Sequence, residues 1–187
     1  MLEHKVRIGL VPMRRNTSNR PAGTFLTWVS AEERGQRFVR YIEEHFSNEN
    51  VSFSDTQGLG CRDLIFDDAS AQAVVERFRS ENVDAVMIIN CNFGNEEAAA
   101  DLSAAIGKPV LLWAPLDDEY YKDGMRPTDS QCGLFGVSRQ MQRYGIPFSH
   151  LPCCRVEDEE FRTGFERFTR VVCMVKNFAN LRIGQLG

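Results

Sequence analysis

Five times along the chain, a short run of apolar residues gives way to a longer segment whose apolar residues recur every three or four positions. That rhythm restricts the fold more than any other feature. Continuous apolar runs are strands buried on both faces, and the amphipathic segments between them are the helices that bury them. The first run, Val6, Ile8, Leu10 and Val11, ends at Pro12, and a polar segment over residues 14–27 follows. Ser30-Ala31-Glu32-Glu33 has the form of a capping box, in which hydroxyl and carboxylate satisfy free N–H groups, so a helix is expected from Ser30 through Phe38, Ile42 and Phe46. Residues 51–54 alternate as a strand. After a loop with Gly58 and Gly60, Asp67-Asp68 opens a helix carrying Ala71, Val74, Val75 and Phe78. Residues 84–91 form the third strand, and Asn95-Glu96-Glu97 opens a helix through Leu102 and Ile106 that Gly107 closes. Residues 109–116 are the fourth strand, and Leu134, Val137, Met141 and Tyr144 mark a fourth helix stopped by Gly145. Residues 148–153 are the fifth strand, followed by a long helix that opens at Asp158-Glu159-Glu160 and carries Phe161, Phe165, Phe168, Val172 and Val175. Five βα units with short connections predict an α/β fold: a doubly wound parallel five-stranded sheet, flavodoxin-like or Rossmann-like, in three α/β/α layers with strand order 2-1-3-4-5.

Composition agrees with one such domain. Hydrophobic residues make up 43% and charged residues 26%, enough for a packed core. With 22 Lys+Arg against 26 Asp+Glu the net charge is -4, the wrong sign for a chain whose main partner is DNA or RNA. No apolar run reaches the roughly 18–20 residues that cross a bilayer, the best being residues 83–89 and 109–115, so no membrane partner is expected. The N-terminus lacks the basic, apolar and small-residue regions of a signal peptide, which predicts a cytoplasmic protein. None of the six cysteines forms a C-x-x-C pair, and most lie in apolar stretches, where reduced thiols behave as small hydrophobes. Cys153 and Cys154 are adjacent, too close for an ordinary disulfide or for two ligands of one tetrahedral zinc.

In an open α/β sheet the ligand crevice lies beyond the carboxyl ends of the strands at the switch point, here the loops after the first and third strands. The first loop offers Arg14, Arg15, Asn16 and Arg20, fork-shaped cations and an amide suited to phosphate, carboxylate or vicinal hydroxyls, or alternatively a solvated basic loop. The second, Asn90-Cys91-Asn92-Phe93-Gly94, offers amides and an aromatic face that suit a sugar, or alternatively a turn with a packing Phe. Known cofactor loops are absent. Gly58-Leu59-Gly60 follows the second strand and lacks a third glycine, no P-loop occurs, and the first strand joins its helix through too long a loop to cradle a flavin phosphate. The acidic pocket of a phosphoacceptor is missing too, since Met13 and Cys91-Asn92 stand at those strand ends. His4, His45 and His150 are scattered. Asp117-Asp118-Glu119 could offer carboxylates to a hard cation or be a solvated loop, and residues 117–131, with Tyr120, Tyr121, Arg126 and Pro127, have the length of a lid. The last residues, Leu181-Arg182-Ile183-Gly184, echo the opening Val6-Arg7-Ile8-Gly9 and read as a sixth strand. Residues 1–180 are therefore expected to be a Rossmann-like domain. Residues 181–187 are either an extra edge strand or the start of a second domain, the latter favoured, which makes the chain a fragment.

Several segments, taken in order, resemble one family: residues 6–15, Cys91-Asn92-Phe93-Gly94, Lys108-Pro109-Val110-Leu111-Leu112-Trp113, Gly145-Ile146-Pro147-Phe148 and Leu181-Arg182-Ile183-Gly184. They are similar to the N-terminal region of the L-fucose isomerase and L-arabinose isomerase-like family. The resemblance implies a cytoplasmic aldose-ketose isomerase, a homo-oligomer of hexamer or trimer-of-dimers type, with two Rossmann-like domains followed by a C-terminal domain. It also implies a divalent cation, often Mn2+, that bridges sugar oxygens during an ene-diol proton shuttle. The family's Glu, Asp and His ligands lie in later domains, and no position here corresponds to them, so this chain alone is expected to be inactive and to hold no cofactor. The family's first domain gives the monosaccharide site of a neighbouring subunit an Arg after the first strand and an aromatic residue after the third. The matching positions are Arg14 or Arg15, and Phe93 with its neighbours Cys91 and Asn92. The first loop is spaced differently from the larger enzymes and the third lacks a Trp, which leaves the sugar open. A non-catalytic sugar-binding or regulatory module is the alternative.

Overall fold

The structure is a computed structural model that describes residues 4–16, 26–117, 120, 124, 126–179 and 181–185. Strands β1 (Val6–Met13), β2 (Val51–Ser54), β3 (Ala85–Asn90), β4 (Val110–Trp113) and β5 (Phe148–His150) alternate with helices α1 (Trp28–Phe46), α2 (Asp68–Ser80), α3 (Glu96–Ile106), α4 (Ser130–Arg143) and α5 (Glu159–Ala179). All neighbouring strands pair in parallel in the order β2-β1-β3-β4-β5. The sequence rhythm thus yields the three-layer fold it predicts.

The two faces of the sheet are packed differently. Ile8 and Leu10 of β1, with Met87 and Ile89 of β3, face α1 and α5 in a layer rich in aromatic rings. Phe38 and Trp113 meet edge to face at 5.0 Å, and Trp113 meets Phe161 at 4.6 Å, pairs that each contribute about 1 kcal/mol beyond their burial. Val11, Val86 and Ile88 face α2, α3 and α4, where Ala98, Ala99 and Ala100 let α3 lie close to the strands. Consecutive helices therefore leave β1 and β3 on opposite faces, which makes the carboxyl ends of those two strands the switch point of the sheet.

Element ends follow local chemistry and correct several expectations. The cap of α1 is Thr27, whose hydroxyl accepts the Ser30 N–H at 3.1 Å, so Ser30 lies inside the first turn and is not the start of a capping box. A capping box exists at α2 instead, where Asp67 and Ser70 satisfy each other's backbone N–H groups. Asn95 caps α3 by accepting the Ala98 N–H, and Gly107 closes that helix at φ 63. β4 and β5 are shorter than their apolar runs, although an isolated bridge between Pro115 and Cys154 extends their alignment. Residues 181–185 form no strand. The Leu181 N–H donates to the Phe178 carbonyl. Leu186 and Gly187 lie outside the described residues. Among the described residues no helix is long and apolar enough to cross a membrane.

Candidate functional site

The parallel register sets Met13 at the end of β1 beside Asn90 at the end of β3, so the two following loops start side by side. Asn92 ties them together. Its side-chain carbonyl accepts the Arg15 N–H at 3.3 Å, its amide donates to the Thr27 carbonyl at 3.2 Å, and its own carbonyl accepts the Asp129 N–H at 2.7 Å. One buried residue thereby fixes the loop after β1 and the start of α1 through its side-chain amide and the approach to α4 through its main-chain carbonyl. Above it, the Arg15 guanidinium sits 4.6 Å over the Phe93 ring and donates to Glu96 in the first turn of α3 at 3.1 Å. Arg15 stays partly exposed and faces a cleft of about 460 Å³, which Asn16, Glu96, Arg139, Gln140 and Arg143 also line.

Three glycines bring the loop after β3 into place. Gly94 adopts φ 105 and lies against the Asn90 amide, where a β-carbon would collide. On α4, a β-carbon at Gly133 would strike the Phe93 backbone carbonyl, and one at Gly136 would lie 2.8 Å from the Glu96 carboxylate. The loop therefore rests directly on α4, and the position of the Phe93 ring follows that of the helix.

Three nominated residues lie beneath this surface: Asn92, Arg14 and Cys91. Arg14 is fully buried, with its guanidinium 3.7 Å from the Trp28 ring centroid and Nη2 donating to the Leu26 carbonyl at 3.1 Å. Burial lowers its pKa to about 10, so it remains a cation at neutral pH. Cys91 is fully buried in the aromatic layer, and burial pushes its thiol up to about 12, which leaves it neutral and unreactive. Arg14 fastens a loop and Cys91 packs in the core, while Arg15 faces the cleft and Phe93 lies half-buried beneath its guanidinium.

Arg34 of α1 went unrecognised in the sequence. Its Nε donates to the Cys91 carbonyl at 2.6 Å and its Nη2 to the Leu116 carbonyl at 3.1 Å, which pins the chain after β3 and β4 to one buried side chain. The signal was the helical spacing Ala31, Arg34, Phe38, Ile42, which puts this arginine on the buried face. Asp117, considered for a cation, accepts the Ser130 N–H at the start of α4 at 2.7 Å. Arg20, Asp118, Glu119 and Tyr121 lie outside the described residues, so the expected lid is described only in part. His45 stacks on Tyr41 on α1, and His150 lies on β5. Among the described residues no three His, Cys, Asp or Glu side chains converge on a possible metal position.

A family model described as fucose/sulfoquinovose isomerase, N-terminal domain, matches residues 19–179, from the loop after β1 to the last residue of α5. The chain belongs to this family. No curated protein matches it. The fucose/sulfoquinovose isomerase N-terminal domain thus takes in Cys91, Asn92, Phe93 and every helix, whereas β1, Arg14 and Arg15 precede the matched span.

Proposed function

We propose that this domain forms one wall of the monosaccharide pocket of an aldose-ketose isomerase, with Arg15 and Phe93 as the residues that touch the sugar. The observation that carries this reading is the Arg15–Phe93 pair, held at the crevice between β1 and β3 by Asn92 and Glu96 in a domain of this family. A guanidinium fork donates to vicinal hydroxyls, and a ring face packs on the C–H face of a pyranose or an open-chain sugar. Among the described residues no three potential ligand side chains converge, so no chemical step is assigned to them. We place the Mn2+ and the proton-transferring groups in other domains of a longer protein, with residues 1–180 as its first domain and 181–187 as the lead into the next; this chain alone would then be inactive. The six free thiols suit a reducing compartment, the cytoplasm.

The test is the natural protein containing this chain, supplied with Mn2+ and assayed for aldose-ketose interconversion over a broad sugar panel. Arg15→Ala is expected to lower kcat/KM about tenfold or more, the loss of one charged hydrogen bond of about 1.5–3 kcal/mol. Stability should change by less than about 1 kcal/mol, because the Arg15–Glu96 pair is part-exposed. No activity on any sugar, or unchanged kinetics in the variant, would overturn the reading. Micromolar binding of free sugars to the isolated 187-residue chain would favour a binding module instead.

A further inference from the structure

Three guanidinium groups line the cleft of about 460 Å³ between the loop after β1, the start of α3 and α4. Arg15, from the first loop, is held by Glu96 at 3.1 Å. Arg139 and Arg143 are held by nothing: both are exposed, and neither makes a hydrogen bond or an ion pair among the described residues. They stand four residues apart on α4, where like charges lie one above the other and repel, so their placement weakens the helix instead of supporting it. The negative end of the helix dipole offsets this for Arg143, in the last turn, but Arg139 lies a turn earlier. Glu97 also lines the cleft and forms no ion pair, which leaves three cations against two carboxylates on a chain whose net charge is -4. Beneath the cleft, Asn90 is fully buried with neither amide atom hydrogen-bonded, and its Oδ1 lies against Gly94, a residue of the cleft lining. Buried polar groups without partners are uncommon, and they mark places where a polar ligand is accommodated.

We propose that this cleft binds a phosphate monoester, with Arg139 and Arg143 donating to the phosphate oxygens and Arg15 beside them. A guanidinium fork donates two parallel N–H bonds to a phosphate, and two forks one helical turn apart can take different oxygens of one group. Charge selects phosphate over other anions. A monoester carries close to two negative charges at neutral pH, enough to compensate both unpaired arginines, whereas a carboxylate or a sulfonate carries one. Helix α3 starts at the same cleft, so its first-turn N–H groups and the positive end of its dipole add to the field there. At about 460 Å³ the cleft also has room for the organic part of the ester. That part is either the sugar itself, phosphorylated, or a separate effector; the phosphate chemistry is the same for both. The site does not rest on the sugar reading, with which it shares Arg15 and Glu96.

Isothermal titration calorimetry of the 187-residue chain with methyl phosphate, in phosphate-free buffer at constant ionic strength, tests it. Methyl phosphate is expected to bind about tenfold or more tighter than methanesulfonate or acetate, which carry a single charge. An Arg139→Gln, Arg143→Gln double variant should bind it about tenfold or more weaker, through loss of charged hydrogen bonds. Its melting temperature should not fall, since a repulsive pair has been removed. Arg167→Gln, Arg170→Gln, which takes two exposed cations from α5, should bind as the unmodified chain does. A panel of aldose phosphates then separates the two sources. Tighter binding than methyl phosphate, with the gain lost on Arg15→Ala, identifies a phosphorylated sugar, and equal binding identifies a separate effector. Absence of methyl phosphate binding up to tens of millimolar, equal binding of methanesulfonate, binding that survives the α4 double variant, or equal loss in the α5 variant would overturn the site. None of these outcomes decides the isomerase assay, so the two readings fail separately.

Discussion

The crevice between β1 and β3 and the flank formed by α5 and β5 solve opposite problems. At the crevice, buried polar side chains hold the chain: Asn92 bridges three segments and Arg34 grips two carbonyls. At the flank the backbone is regular and short, and apolar side chains stand in solvent. A buried polar group is costly to misplace, so the first arrangement fixes geometry, as recognition of a small polar ligand demands. Bare apolar surface contributes no such directional hold, so the second region is defined by its backbone alone.

The contrast can be broken most forcefully at Gly133. Replacing it with Ala drives a methyl into the Phe93 carbonyl, and because backbone cannot rotate away as a side chain can, a loss of about 3 kcal/mol is expected in urea unfolding. A near-neutral result would mean that the loop after β3 is not seated on α4 as described. Arg34→Met comes next. It keeps much of the apolar stem but removes the donors to Cys91 and Leu116, and should cost about 2 kcal/mol. A cost within experimental error would show that the crevice is not held by this polar pin. The smallest effect should come from the Cys91 thiol. Burial raises its folded-state value to about 12 from an ordinary 9.0, so the unfolded chain loses this proton first. Its contribution to stability is then complete below pH 9 and declines as pH rises from there toward 12. Cys91→Ala should flatten that part of the stability profile measured by denaturation at successive pH values, and alkylation of the native protein at pH 8 should label Cys61 and Cys132, both exposed, while sparing Cys91. Rapid labelling of Cys91 would show a crevice floor far looser than its burial implies.

The fold was legible because continuous apolar runs and helical spacings are set by burial, and burial on both faces of a sheet leaves few topologies. Helix starts were less legible. Ser30 has the right chemistry for a cap, but Trp28 and Val29 already belong to the helix, and only the geometry of Thr27 reveals it. The site was half legible. The switch-point rule led to the loops that hold Arg15 and Phe93, yet nothing local distinguishes Arg15 from Arg14. They separate because alternate directions at the end of β1 send one guanidinium to the cleft and the other under Trp28, a residue more than ten positions away. Arg34 was hidden by its neighbours Glu32 and Glu33, which make the segment read as polar, although its spacing to Phe38 places it inward.

The two tryptophans fall one to each kind of environment. Trp113 is fully shielded among Phe38 and Phe161 in the aromatic layer, whereas Trp28 is partly exposed and lies between the Arg14 guanidinium and Phe66 where the chain re-enters α1. Their emission is therefore separable: a blue-shifted band from the interior that responds only to global unfolding, and a band beside the crevice that is open to quenching and sensitive to any rearrangement of the loop after β1. The molecule carries, without added labels, one optical probe of its stability and another of its candidate sugar wall.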